Sequence, residues 1–181
     1  AATEQLRDRT GAPHVLLTTS CTHALEMSAL LLGLSDGDEV VMPSFTFVST
    51  ANAFALRGAR PVFVDIDPHT FSVSADEIEA ALGPRTRAVV VVHYAGVAHD
   101  IERIAEMTAA RGIALIEDNA HGFGGRAGDR VLGSFGAMST LSFHETKNIQ
   151  CGEGGALVIN DPELFERAEI LREKGTNRSR F

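Results

Sequence analysis

The sequence predicts an α/β fold: a mostly parallel sheet between two layers of helices, three layers (α/β/α) around one core. Short apolar runs alternate with helical patterns from one end of the chain to the other, the alternation that builds βα units. Runs such as Val89–Val92 are apolar without polar interruption, as strands buried on both faces of a parallel sheet must be. At 181 residues and 44% hydrophobic, the chain can bury one substantial core and suits a single domain.

A polar, helix-like run over Thr3–Arg9 opens the chain. Apolar runs predict strands over His14–Thr18, Glu39–Met42, Pro61–Asp65, Ala88–His93, Ala114–Asp118, Met138–Phe143 and Ala156–Ile159. Helical spacing predicts helices over Thr22–Gly33, Val48–Arg57, Ala75–Leu82, Asp100–Arg111 and Pro162–Glu173. In the fourth of these, Ile101, Ile104, Ala105 and Thr108 share one face, with Asp100 as its cap and Gly112 as its stop. No repeat, low-complexity tract or linker interrupts the pattern. The chain stops at Phe181 after a Gly-Thr-Asn-Arg turn without a closing element, which reads as part of a longer protein.

Composition narrows the function. A net charge of -8 without a basic patch argues against nucleic acid as a main partner. Cys21 and Cys151 lie far apart with no CxxC, so a disulfide scaffold is not expected and a reducing cytoplasm fits. No run has the apolar length of a membrane span. His93, His99, His121 and His144 form no i, i+4 pair with a nearby carboxylate, so no metal site is expected. Gly122–Gly128 is glycine-rich like a dinucleotide fingerprint, but no helical pattern follows it. A nicotinamide-binding domain would need that fingerprint in the first strand-to-helix turn, which lacks it.

In open α/β sheets ligands bind beyond the carboxyl ends of the strands. The loops there carry Ser20-Cys21-Thr22-His23, Pro43-Ser44-Phe45-Thr46-Phe47, His93-Tyr94-Ala95-Gly96, Glu117–Gly122 and Ser142–Asn148. Only two of the sixteen basic residues are lysines, Lys147 and Lys174. An ε-amine can lose its proton and attack a carbonyl, which a guanidinium cannot. Taken singly, each residue has an ordinary reading: Lys147 as a surface cation, Ser20 and Thr22 as helix caps, Asp118 as a turn cap, Phe45 and Phe47 as core aromatics. Taken in order, a phosphate-binding helix start, a flat aromatic, a strand-end carboxylate and a later lysine are the parts that hold pyridoxal 5'-phosphate.

The segments Ser20–Thr22, Gly37–Thr50, Val64-Asp65-Ile66, His93–Gly96, Ile116-Glu117-Asp118, Ser142–Asn148 and Gly152–Gly155 closely resemble the DegT/DnrJ/StrS family of nucleotide-sugar aminotransferases. These are pyridoxal-phosphate enzymes of fold type I, and the resemblance covers nearly all of Pro13–Phe181. Pro43–Phe54, His144–Asn148 and Glu173–Ser179 are most similar to members that aminate dTDP-4-keto-6-deoxyglucose.

The resemblance implies that Lys147 holds the cofactor as a Schiff base and shuttles the proton between the donor Cα and C4'. It implies that Asp118 pairs with the pyridinium nitrogen and that Phe47 stacks on the ring. Thr22, the backbone of His23 and Ser142 would hold the phosphate, and His121 would lie near the 3-hydroxyl. Asn119 departs from the alanine of many members and puts no role in doubt. Dehydratases of this fold carry histidine in place of the lysine. The resemblance further implies L-glutamate as amino donor, a homodimer whose partner supplies an asparagine to the phosphate site, and a role in deoxysugar, lipopolysaccharide or antigen biosynthesis. On this reading residues 1–181 are the large cofactor-binding domain, and a smaller C-terminal domain lies outside the chain. A sugar dehydratase, a 3-keto-sugar aminotransferase and an inactive cofactor-binding fragment stand as alternatives.

Overall fold

The computed structural model describes residues 1–177. Seven strands form one sheet: β1 (His14–Thr18), β2 (Glu39–Pro43), β3 (Arg60–Val64), β4 (Thr86–Val92), β5 (Ala114–Asp118), β8 (Met138–Ser142) and β9 (Gly155–Ile159). Between β5 and β8 a two-stranded hairpin, β6 (Arg126–Ala127) and β7 (Arg130–Val131), takes up the glycine-rich segment. The helices are α1 (Ala2–Thr10), α2 (Cys21–Leu31), α3 (Val48–Ala55), α4 (Ala75–Ala81), α5 (Ile101–Ala110) and α6 (Phe165–Arg172), the last preceded by a 3-10 turn over Pro162–Leu164. Arg178 and Ser179 of the last sequence motif lie outside the described residues.

The sheet order is β1-β9-β8-β5-β4-β2-β3. Neighbours from β8 through β3 are parallel, whereas β9 runs antiparallel to both β8 and β1. The reversal of β9 brings its first residues to the edge where the parallel strands end.

Consecutive residues of the central strands enter opposite cores, as the two-residue period of a strand dictates. Val40, Met42, Val90, Ile116 and Leu157 pack with Ala24 and Leu25 of α2, Ala53 and Phe54 of α3 and Ala168 of α6. Val41, Val89, Val91 and Leu115 pack with Ile78 of α4 and Ile101 and Ile104 of α5. A third cluster joins Val15, Leu141 and Val158 to Leu6 of α1. Asp118, two residues beyond Ile116, therefore belongs to the α2/α3 face, and Glu117 to the other.

Asp100 stands at the N-cap position of α5, as the sequence predicts, but its side chain does not cap that helix. It precedes α5 with φ 54 and makes no side-chain bond to that helix. Its Oδ2 instead accepts from the Ala75 N–H at 3.2 Å, at the start of α4. The left-handed backbone turns the carboxylate away from its own helix and onto the neighbouring one, where Ser74 Oγ also accepts from Glu77 N–H.

Candidate active site

The last residues of β4, β5 and β8, namely Val92, Asp118 and Ser142, border a cavity of about 450 Å³. The start of α2, the segment entering α3 and the loop between β8 and β9 wall it. Thr22, Phe47, Asp118, His121, Ser142 and Lys147, which the sequence points to separately, all line it. His23 does not: it is exposed, its ring nitrogen Nδ1 meets Thr19 Oγ1, and its backbone N–H donates to Ser20 Oγ at 3.2 Å.

One wall of the cavity is the first turn of α2. Ser20, extended at φ -162, caps the helix. The opening N–H groups of a helix lack intrahelical acceptors and carry its positive end. This turn sits directly on β9, where a Cβ added to Gly155 would come within 2.5 Å of the Cys21 nitrogen, so only glycine permits the approach. Thr22 Oγ1 lies 2.8 Å from Ser49 Oγ, which ties α2 to α3 at the cavity wall. Cys21 is mostly buried; burial pushes its thiol well above the ordinary range, the nearby Asp118 adds to this, and the thiol stays protonated.

Asp118 is 5% exposed. Its Oδ2 accepts from Thr50 Oγ1 at 2.7 Å and its Oδ1 from the Ala120 N–H at 3.2 Å. Burial raises its pKa above the usual carboxylate range, and the Thr50 hydroxyl opposes that rise most strongly. A positive partner at the cavity would restore the charge.

Lys147 is half-buried in the β8–β9 loop, and its amine makes no hydrogen bond or ion pair among the described residues. The loop is tied back on itself: Phe143 N–H donates to Gly154 O at 2.8 Å, Cys151 N–H to Phe143 O at 2.9 Å, and Asn148 Nδ2 to Phe123 O at 2.8 Å. His121 Nδ1 accepts from the Ala95 N–H at 3.4 Å, which leaves the proton of a neutral ring on Nε2. Burial, then the neighbouring Lys147 ammonium, lower the His121 pKa and favour that neutral ring. Phe47, directly before α3, stays 74% exposed, an unusual position for so large an apolar ring.

The donor set fits pyridoxal phosphate: a buried carboxylate for the ring nitrogen, an amine without a partner among the described residues for the aldehyde, a helix start for the phosphate and an uncovered flat ring. Residues 3–181 match the DegT/DnrJ/EryC1/StrS aminotransferase family. The chain belongs to this family. Its cofactor is pyridoxal 5'-phosphate, and the fold is that of fold type I aminotransferases.

Solved structures superpose closely on the chain. The aminotransferase TlmJ of Streptoalloteichus hindustanus is 43% identical at a TM-score of 0.93, covering 97% of this chain and 48% of its own. DesI, solved in the presence of its TDP-sugar product, is 36% identical at 0.90, covering 98% and 45%. NtdA of Bacillus subtilis, solved with bound PMP, is 33% identical at 0.87, covering 97% and 41%. The chain thus spans somewhat less than half the length of these relatives.

Three site residues escape sequence reasoning: Thr46, Ser49 and Thr50. The i, i+4 spacing of Thr46 and Thr50 at a helix start is a signal for one shared face, but hydroxyls there read first as caps. Only the folded chain, which brings the start of α3 to the end of β5, reveals that Thr50 meets Asp118.

Proposed function

We propose that the chain is the cofactor-binding domain of an aminotransferase that moves an amino group, from L-glutamate, onto a keto-deoxysugar nucleotide. The carrying observation is that Lys147 and Asp118 line one cavity with the start of α2. When bound, pyridoxal phosphate supplies an aldehyde that receives the amino group and a ring that withdraws electrons. Lys147 Nζ would anchor the cofactor and move the proton at the donor Cα; with no competing ion pair among the described residues, it is available for both tasks. Asp118 keeps a proton on the ring nitrogen, and His121 offers its Nε2–H to the 3-oxygen. Phe47 covers a ring face, while Thr22, Ser142 and the N–H groups opening α2 hold the phosphate.

For the acceptor we propose dTDP-4-keto-6-deoxyglucose, which makes the whole protein a dTDP-4-amino-4,6-dideoxygalactose transaminase. The motif resemblance and the TDP-sugar product of DesI support this choice. Among the described residues no arginine lines the cavity, so the sugar-nucleotide phosphates and the glutamate carboxylates need cations from elsewhere. The second half of the protein and a partner copy in a cytoplasmic homodimer fill that need on this reading. Among the described residues no helix is long and apolar enough to cross a membrane.

Incubation of the full protein with L-glutamate and dTDP-4-keto-6-deoxyglucose tests the reading. A 4-amino sugar nucleotide is expected, with one equivalent of 2-oxoglutarate. Amination at C3, or loss of a hydroxyl without amination, would replace it with one of the alternative reactions.

A further inference from the structure

We infer that Thr50, seconded by Thr46, is the positioning residue that orients Asp118 and favours its ionised form at the cofactor ring nitrogen. The inference rests on Asp118 as the partner of that nitrogen. Thr50 is 0% exposed, in the first turn of α3. Its Oγ1 lies 2.7 Å from Asp118 Oδ2 and 2.7 Å from Thr46 Oγ1, and Thr46 itself lines the cavity.

Hydrogen count fixes the direction of this chain. A carboxylate only accepts, so the single Thr50 proton goes to Asp118. Thr50 Oγ1 must then accept from Thr46, whose hydroxyl donates inward from the cavity edge. A protonated Asp118 would allow the opposite polarity. The aligned hydroxyls polarise each other and strengthen the bond that ends on the carboxylate. With Ala120 N–H on the other oxygen at 3.2 Å, both oxygens are held, and lone pairs remain for the ring nitrogen.

The other titratable groups around Asp118 are the His93 and His121 rings, the Cys21 thiol and the Lys147 amine. His93 is already paired with Glu117 at 2.8 Å, and Cys21 Sγ with Thr140 Oγ1 at 3.4 Å. Among the described residues Thr50 is thus the side chain that hydrogen-bonds this carboxylate directly.

The test compares Thr50→Val, which keeps the shape and removes the hydroxyl, with Thr50→Ser, Thr46→Val and Asp118→Asn in the full protein. Cofactor-free protein is titrated with pyridoxal phosphate by fluorescence, and the visible absorbance of the loaded protein is followed against pH. Loss of a hydrogen bond to a charged group predicts a cofactor Kd raised by about tenfold or more in Thr50→Val and a shifted spectral pH profile. Thr50→Ser should restore both to within about threefold, and Thr46→Val should show a smaller change in the same direction. Wild-type affinity and profile in Thr50→Val would overturn the inference, as would Thr50→Ser impaired to the same degree, since packing would then be the cause. Should Thr50→Val not fold, Thr46→Val decides: an unchanged affinity and profile would overturn it. Asp118→Asn separates the two layers. Wild-type affinity there removes the ring-nitrogen assignment itself, whereas weak binding in Asp118→Asn beside tight binding in Thr50→Val removes the threonine pair alone.

Discussion

Asp118 sits where burial opposes the charge that its proposed role demands. With its folded pKa raised, the folded protein holds more protons than the unfolded chain between the ordinary aspartate value and the raised one. Stability from this group is present below the unfolded pKa and is lost as pH rises through the folded one. Asp118→Asn should therefore raise the melting temperature of the cofactor-free protein at neutral pH, and the gain should shrink toward acid. The same variant should bind pyridoxal phosphate more weakly, a stability gain bought with function. Thermal melts across pH check the first expectation; a variant less stable than wild type at neutral pH contradicts it. Asp118 itself was legible in the sequence because a carboxylate ends the apolar run Ile113–Ile116. Its partner Thr50 was not, since sixty-eight positions separate them and hydroxyls carry no periodic signal.

At the scale of elements, the seven strands and the helices follow from apolar period and from Gly and Ser punctuation. The direction of β9 does not follow from its own residues: Ala156–Ile159 is continuously apolar and suits either sense. The connection held the answer. Parallel neighbours need a crossover, usually helical, and nothing between Phe143 and Gly154 has helical spacing. The β6–β7 hairpin was missed because two-residue strands show no period, although Gly128-Asp129 marks its turn. The antiparallel β9 in turn makes Gly155 a point of contact with α2. Gly155→Ala should lower stability by about 1–3 kcal/mol through overpacking and weaken cofactor binding by displacing the helix start. Urea denaturation and cofactor titration measure the two effects, and loss of stability with unchanged affinity would detach α2 from the phosphate site.

At the scale of the whole molecule, the two faces of β5 divide the labour. Asp118 faces the cavity, while Glu117, 0% exposed, faces the opposite core. Glu117 Oε2 meets His93 Nε2 at 2.8 Å and Gly133 N–H at 2.7 Å; Oε1 accepts from Phe135 N–H at 2.6 Å and Gly136 N–H at 2.8 Å. One carboxylate in β5 thus binds the residue that follows β4 and the segment that leads into β8, and the ends of these three strands border the cavity. Glu117→Ala would strand these buried donors and should destabilise the fold by more than about 3 kcal/mol. A denaturation midpoint near wild type would show that water replaces the carboxylate.

The proposed function turns on one role, that of Lys147 as anchor of the cofactor in this cavity. Its most direct test is borohydride reduction of the protein loaded with pyridoxal phosphate, followed by peptide mapping. The visible band should vanish and the pyridoxyl label should appear on Lys147. A label on Lys174, or no band with added cofactor, would contradict the account.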